Sequence, residues 1–268
     1  MSASDRATII SLNFALSGNH DSIWSNENAA IIDQHLDPRT VEVRDARLGP
    51  PTSLQDEGFV ITKEPLLDAK WNDSLWIQGV YLPSCQALVE RLTGAELVLP
   101  YTGVLVRTAG AAERERLKAA PPARFVHIDQ TPESAEPFVN SVAGGIDRSR
   151  YKGVVIYNVW RSISRPPQNT PLALCDKRTI KREMLVTGRT VSARFPEGVP
   201  YVSSLFSSDY RWHYFPDVEP EEVIVFKSVD VAGRGEIGCL HSAFDVPEPI
   251  PGAPPRCSAE TRVLALFI

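Results

Sequence analysis

Residues 124–130 read Arg-Phe-Val-His-Ile-Asp-Gln, and the His-x-Asp step in this stretch is the feature that decides the fold. His127 and Asp129 are two residues apart, so on an extended strand both side chains leave the same face. The apolar and aromatic neighbours favour such a strand. Two imidazoles and one carboxylate can occupy one face of an octahedral Fe(II) ion and leave three positions open. The stretch therefore predicts two metal ligands, and the third must come from another strand.

Three histidines are candidates for the third ligand, namely His20, His213 and His241. His20 lies in the turn-rich run Ser-Gly-Asn-His-Asp-Ser, where an exposed histidine is the ordinary outcome. His213 lies between Trp212 and Tyr214, where a hydrogen-bonded or core histidine is expected. His241 is preferred because the segment that follows it carries groups suited to a carboxylate co-substrate.

A second His-x-Asp occurs at His35-Leu36-Asp37. It precedes Pro38, which pushes Asp37 toward an extended or turn conformation. We interpret this copy as part of a loop and not as a metal strand.

The segment after His241 contains Arg256 and Ser258, which stand at i and i+2 and can project from one strand face. A guanidinium is a forked, permanently charged partner for a carboxylate, and a neighbouring hydroxyl adds a donor. This pair suits the distal carboxylate of 2-oxoglutarate, although Arg256 could instead form a surface ion pair. Arg262 has the same parity and is the rival anchor. Arg256 is favoured because Ser258 accompanies it.

A larger set of motifs occurs in order between residues 40 and 268. It includes Asp45-Ala46-Arg47, Glu57-Gly58-Phe59-Val60, Leu92-Thr93-Gly94-Ala95, His127-Ile128-Asp129-Gln130, Asn158-Val159-Trp160-Arg161, Trp212-His213-Tyr214-Phe215-Pro216, His241-Ser242-Ala243-Phe244 and Pro254-Pro255-Arg256-Cys257-Ser258. The ordered set resembles the cephem 7α-methoxylase-like oxidoreductases, a family that also includes fungal gibberellin-desaturase-like and meroterpenoid-tailoring oxygenases.

This resemblance implies a branch of the Fe(II)/2-oxoglutarate-dependent oxygenases, mainly β with flanking helices and built as a double-stranded β-helix (a cupin-like jelly roll). Carried over to this sequence, the iron ligands and catalytic residues would be His127, Asp129 and His241. Arg256 would anchor 2-oxoglutarate and Ser258 would assist. The implied cofactors are Fe(II), 2-oxoglutarate and O2. The implied reaction oxidises an unactivated C–H bond of a small natural-product intermediate by hydroxylation, desaturation or cyclisation, with release of succinate and CO2.

The resemblance also suggests residues for the substrate. Arg161 could bind a carboxylate of the substrate or co-substrate, with structural pairing to an acid such as Asp176 as the alternative. Trp212 could form an aromatic wall, although a core position is the simpler interpretation. His213 stands where a tyrosine is expected in relatives, which suggests a role in substrate binding or in support of the site.

Composition agrees with an enzyme acting on a small molecule. The chain has 268 residues and a formal net charge of −5 without a basic run, so neither nucleic acid nor an anionic membrane surface is an expected partner. Residues 1–268 are expected to form a single domain, and the oligomeric state is left open. The first residues lack an unbroken apolar signal segment. The four cysteines have no C-x-x-C spacing, which favours reduced thiols in the cytoplasm.

Two other functions are compatible with these residues. The first is an iron oxidase or isomerase on the same fold that does not use 2-oxoglutarate. The second is a non-catalytic jelly roll that binds a ligand or partner. The intact set of two histidines, one aspartate, arginine and serine favours the oxygenase, because no structural role requires all five groups.

Local patterns predict the main elements. The prediction places strands at 7–16, 41–44, 58–62, 97–106, 125–130, 154–160 and 223–226, helices from 72 or 73 to 93 and after 131, a turn or helix at 111–119, and mostly loop at 20–40. Pro83 is expected to kink or split the long helix.

Overall fold

The computed structural model describes residues 7–17, 22–25, 36–66, 68–193, 195–231 and 237–268. Within them the strands are β1 (Ala7–Ala15), β2 (Ser22–Ser25), β3 (Leu36–Asp45), β4 (Phe59–Lys63), β5 (Leu97–Pro100), β6 (Leu105–Thr108), β7 (His127–Ile128), β8 (Gly153–Ser162), β9 (Leu172–Cys175), β10 (Leu185–Ser192), β11 (Phe195–Ser204), β12 (Trp212–Tyr214), β13 (Glu222–Asp230), β14 (His241–Ala243) and β15 (Cys257–Phe267). The α-helices are α1 (Ser74–Trp76), α2 (Leu82–Thr93), α3 (Ala111–Leu117) and α4 (Pro132–Val142), with a π-helical turn at Ile77–Tyr81.

The strands form two sheets in the described part of the chain. One has nine strands in the order β1-β3-β12-β9-β14-β7-β11-β10-β2. The other has six, in the order β4-β13-β8-β15-β5, with β6 also paired to β15. Nearly all pairings are antiparallel, the exceptions being β2 with β10 and β3 with β12.

The two sheets pack face to face through a shared apolar core. Phe59, Trp160 and Phe226 from the six-stranded sheet lie in one cluster with Leu172 and Leu174 from the nine-stranded sheet. Strands far apart in sequence are neighbours, as in β7 beside β14 and β8 beside β15. This sandwich of antiparallel sheets is a jelly roll, so the mainly β prediction with flanking helices is confirmed.

The predicted long helix is confirmed as a helical segment, but it has three parts. Asp73 caps its start by accepting from the backbone N–H groups of Leu75 at 3.0 Å and Trp76 at 3.1 Å. Pro83 lies in the first turn of α2, where its missing N–H would be unpaired anyway, and the π-helical turn precedes it. Gly94, with φ of 68°, ends the helix in the left-handed conformation that glycine adopts without strain.

The predicted loop at 20–40 is partly wrong. Residues 22–25 form β2, and β3 begins at Leu36, so the second His-x-Asp lies in a strand over its last two residues. β12 joins β3 only at residues 43–45, which leaves Pro38 on an edge portion where proline is tolerated. His20 and His35 lie outside the described residues.

The predicted strand at 97–106 is two strands, β5 and β6, which pair with different parts of β15. The remaining local predictions agree with the structure to within a few residues, except that the strand at 125–130 contracts to the two residues of β7. No helix among the described residues is long and apolar enough to cross a membrane.

Candidate active site

His127 and His241 are brought side by side by the pairing of β7 with β14. They are directly opposite each other in the register of these two strands. Their ring centroids are 4.2 Å apart, and both side chains are buried. Adjacent strands place opposite side chains on one face within contact distance, so two short strands suffice to hold the pair.

Backbone carbonyls set the orientation of both imidazoles. Nδ1 of His127 donates to the carbonyl of Phe125 at 2.8 Å, and Nδ1 of His241 donates to the carbonyl of Cys239 at 3.1 Å. A carbonyl can only accept, so Nδ1 carries the proton and Nε2 keeps its lone pair. This is the usual support for histidines that bind metal through Nε2.

Asp129 completes the cluster. Its Oδ1 lies 3.8 Å from Nε2 of His127, and its Oδ2 lies 4.0 Å from Nε2 of His241. The three ligand atoms all lie within 4.8 Å of one another. Across the sandwich, Arg262 donates to Oδ1 at 2.6 Å and Asn158 donates to Oδ2 at 2.7 Å, so the six-stranded sheet orients the carboxylate.

The protonation states of the cluster suit a divalent metal. Burial and the repulsion of His241 lower the pKa of His127 to about 3, so its imidazole is neutral at ordinary pH. Burial raises the pKa of Asp129, but Arg262 and the two histidines together lower it well below its ordinary value. Metal ligands must be deprotonated, and the neutral imidazole of His127 with the ionised carboxylate of Asp129 meets that requirement for Fe(II).

A small cavity of 20 Å³ adjoins the histidines. Arg107, Trp160, Arg256 and Glu260 line it together with the two imidazoles. Arg256 is 3 % exposed, donates through Nη1 to the carbonyl of Thr170 at 3.0 Å, and lies over the Trp160 ring at 5.5 Å. Its Nε has no partner within the described residues. A buried guanidinium that has an unbonded donor beside the His-Asp-His cluster is suited to an oxoacid carboxylate.

Arg262 occupies a different position from Arg256. Its Nη2 bonds both Asp129 and Glu260, the latter at 2.9 Å, so its charge is already paired within the protein. Ser258 lies between them on the inner face of β15, fully buried, and its Oγ lacks a partner among the described residues. Of the two arginines, Arg256 therefore has the geometry of a co-substrate anchor.

None of the three expected substrate residues lines the cavity beside the two histidines. Arg161 faces the helix side of β8, beside Tyr81, and donates to the carbonyl of Pro220 at 2.6 Å. Trp212 packs in the core against Phe14. His213 is half-buried on the other face of β12, with its ring 5.7 Å from that of Phe59. Asp176, named as an alternative partner for Arg161, instead accepts from Arg178 through both carboxylate oxygens.

A larger cavity of 220 Å³ is also lined by His127, together with Asp129. Its walls include the aromatic rings of Tyr101, Phe125, Phe138 and Tyr201 together with Arg107 and Arg262. A pocket with aromatic walls and several charged and polar groups beside the His-Asp-His cluster is suited to a small molecule.

Sequence patterns missed three residues of this site. Asn158 and Glu260 support it through Asp129 and Arg262, and Arg107 lines both cavities. Glu260 is an even number of residues from Arg256, which predicts the same strand face, and Arg107 is a charged residue within an otherwise apolar strand. Both patterns could have indicated that these residues belong to the site.

Comparison with known proteins agrees with this geometry. A family model described as an oxidoreductase/YMDC permease-like domain matches residues 14–266. A hydroxylase/desaturase of Hormonema carpetanum, efuI, is 31% identical over 242 residues, which cover 80% of this chain and 79% of that protein. The Fe(II)/2-oxoglutarate-dependent dioxygenase nvfI of Aspergillus novofumigatus is 28% identical over 85% of this chain and 83% of that protein.

The fold has a counterpart among solved structures. The iron and alpha-ketoglutarate-dependent endoperoxidase NvfI superposes with a TM-score of 0.82 at 24% sequence identity, over 97% of this chain and 98% of that one. The family match, the relatives and the His-Asp-His cluster together identify the chain as a member of the cephem 7α-methoxylase-like and fungal gibberellin-desaturase-like oxidoreductases, a branch of the Fe(II)/2-oxoglutarate-dependent oxygenases.

Proposed function

We propose that this enzyme oxidises an unactivated C–H bond of a small natural-product intermediate, with His127, Asp129 and His241 as the iron ligands and Arg256 with Ser258 as the anchor for 2-oxoglutarate. The observation that carries the proposal is the convergence of the three ligand atoms within 4.8 Å beside the buried, incompletely bonded Arg256. When bound, iron and 2-oxoglutarate supply the oxidising chemistry, and succinate and CO2 are the by-products.

The protein orients the ligand side chains and excludes water from the site. The carbonyls of Phe125 and Cys239 keep Nδ1 of each histidine protonated, so that both Nε2 lone pairs face the same point as the Asp129 carboxylate. Arg262 and Asn158 hold that carboxylate in one orientation. Because these groups are buried, bulk water is kept away from the reacting carbon.

The co-substrate and the substrate occupy different cavities. The 20 Å³ cavity holds Arg256 and is large enough for about one water, so 2-oxoglutarate must displace its walls as it enters. The 220 Å³ cavity, with its aromatic walls, receives the substrate. His127 lines both cavities, so this proposed iron ligand adjoins the co-substrate site and the substrate site alike.

Hydroxylation, desaturation and cyclisation differ in which C–H bond lies next to the metal, so the cavity shape selects among them. The fungal hydroxylase/desaturase relatives support a role in secondary metabolism. All four cysteines are free thiols, which supports a reducing compartment such as the cytoplasm. One domain over residues 1–268 is supported by the pairing of strands from both ends of the chain within two sheets that share a core.

The test is succinate formation. Under anaerobic conditions the protein with Fe(II) and 2-oxoglutarate is expected to show the weak visible absorption band of a chelated keto acid, and to release succinate when O2 is admitted. A compound that accelerates the release is a substrate. Protein that binds the metal but gives neither band nor succinate would favour an iron oxidase or isomerase that does not use 2-oxoglutarate.

A further inference from the structure

Five charged side chains line the two cavities. They are Arg107, Arg256, Arg262, Asp129 and Glu260. Buried charges are costly unless they are paired, so the pairing of these five indicates which charge a ligand must supply.

Four of the five have a partner or an assigned ligand. Arg262 bonds the carboxylates of both Asp129 and Glu260. Arg256 is left for the distal carboxylate of 2-oxoglutarate under the proposed function. Arg107 remains.

Arg107 is a buried cation without a paired anion. It is 9 % exposed, and its Nη1 donates to the carbonyl of Pro121 at 2.8 Å. It forms no ion pair within the part of the chain that the structure describes. Burial lowers its pKa, and the attraction of Glu260 and Asp129 does not offset this.

The position of Arg107 puts this charge in the wall between the two cavities. It lies on β6 directly opposite Ser258 of β15, and it lines the small and the large cavity alike. Arg256, in contrast, lines only the small one of these two. A group held in the large cavity can therefore reach Arg107 without entering the co-substrate cavity.

The charge balance of the site with metal and 2-oxoglutarate bound also favours an anionic substrate. Three arginines and two carboxylates sum to +1. A divalent metal and the dianion of 2-oxoglutarate cancel each other, so the loaded site retains +1. A monoanionic substrate would make the site neutral.

The other walls of the large cavity indicate the size and the apolar character of that substrate. The rings of Tyr101, Phe125, Phe138 and Tyr201 and the aliphatic side chains of Leu105 and Val199 line it. Its 220 Å³ lies below the range of about 300–1,000 Å³ typical of drug-sized ligands, which favours a compact ring system.

We propose that the substrate is a compact aromatic or alicyclic monocarboxylic acid, whose carboxylate is bound by Arg107 and whose ring lies among the aromatic walls of the large cavity. This assignment rests on the proposed function. It gives Arg107 the carboxylate-binding role that the sequence suggested for Arg161.

The experiment measures binding, so no turnover is needed. Protein loaded with Ni(II) and 2-oxoglutarate is titrated by calorimetry with three acid and amide pairs, namely benzoate and benzamide, cinnamate and cinnamamide, and cyclohexanecarboxylate and its amide. At least one acid is expected to bind at least about tenfold more tightly than its amide, because only the acid forms a charge-assisted pair. The preference should fall below about twofold in Arg107→Gln and persist in Arg107→Lys, which keeps the charge.

Three results would overturn the proposal. The first is wild-type protein that binds none of the acids or binds acids and amides equally, a result that needs no folded variant. The second is an acid preference that survives in folded Arg107→Gln. The third is a loss of 2-oxoglutarate affinity in Arg107→Gln as large as in Arg256→Gln, which would assign Arg107 to the co-substrate instead.

Failure of the proposed function has a separate signature. 2-Oxoglutarate is itself titrated into the Ni(II)-loaded wild-type protein before the acids and amides are added. If it does not bind, the oxygenase assignment fails, whatever the acids do. If 2-oxoglutarate binds and the acids show no preference, only the substrate class fails.

Discussion

Arg262 and Asp129 form a partly buried ion pair across the sandwich, with Nη2 of the arginine 2.6 Å from Oδ1 of the aspartate. The pair joins β15 of one sheet to the segment after β7 of the other, so the carboxylate that we propose as a metal ligand is also a structural link between the sheets. Binding a metal and holding the sheets together are therefore coupled through one side chain.

Removing the guanidinium of Arg262 should reveal the coupling between metal binding and stability. In Arg262→Met the carboxylates of Asp129 and Glu260 lose their shared partner, and we expect the free energy of unfolding of the metal-free protein to fall by about 3 kcal/mol. Added Fe(II) or Ni(II) should recover part of the loss, because the metal neutralises Asp129. Urea unfolding with and without metal measures both. A loss that metal does not reduce would contradict the coupling.

Each proposed metal ligand should be necessary for tight metal binding. We expect His127→Ala, Asp129→Ala and His241→Ala each to lower Fe(II) affinity at least about tenfold, because the cluster found among the described residues offers three protein ligands. Anaerobic equilibrium dialysis measures the affinity. The matched control is His213→Ala, which removes a histidine on β12, two strands away from β14, and should leave the affinity unchanged. Loss of metal in the control instead would reassign the third ligand.

Arg256→Ala should weaken 2-oxoglutarate binding while iron stays bound. The expected loss is about 2–4 kcal/mol, the scale of truncating one partner of a buried charge pair. Calorimetry with the Ni(II)-loaded protein measures it. Arg161→Gln is the control, because Arg161 faces the helix side of β8 and should not affect the co-substrate. Equal losses in both variants would show that the effect is indirect.

The stability of the protein should fall in acid partly through Asp176. Burial raises the pKa of this carboxyl, but three hydrogen bonds from Arg178 lower it overall. The folded pKa thus lies below the unfolded value of about 3.9, so the stabilisation is present above that value and is lost as pH falls through the folded pKa. Because Arg178 is half exposed, solvent screening reduces the contribution of the pair.

Urea unfolding between pH 7 and pH 3 tests the contribution of Asp176. We expect Asp176→Asn to be less stable than the wild type by about 1–2 kcal/mol at pH 7. The difference should shrink below about pH 4, because the Asp176 carboxyl of the unfolded wild-type chain then takes up a proton and the stabilisation that ionisation gives the folded state decreases. A difference that stays constant with pH would mean that the loss comes from packing and not from charge.

Much of the fold and part of the site could be predicted from local patterns. The period of two in a strand placed Arg256, Ser258 and Arg262 on one face. In the structure Arg256 directly precedes β15 and lines the small cavity, whereas Arg262 lies within β15 and lines the larger one. Asp73 and Gly94 marked the ends of the helical segment because capping depends on a few adjacent residues. The ordered motifs predicted the jelly roll and the oxygenase family.

What the sequence alone determined is therefore the set of chemical groups, the face of its own strand from which each projects, and the family. Only the tertiary structure decided which strands lie together: β14 beside β7 joins His241 to His127, the two sheets join Arg262 and Asn158 to Asp129, and β6 beside β15 brings Arg107 into the cavity wall. The tertiary structure also decided that Arg161 lies beside Tyr81 and Pro220 and not in the wall of either cavity. The physical reason is that alternation along a strand is local, whereas the partner and register of that strand depend on the packing of the two sheets around a common core.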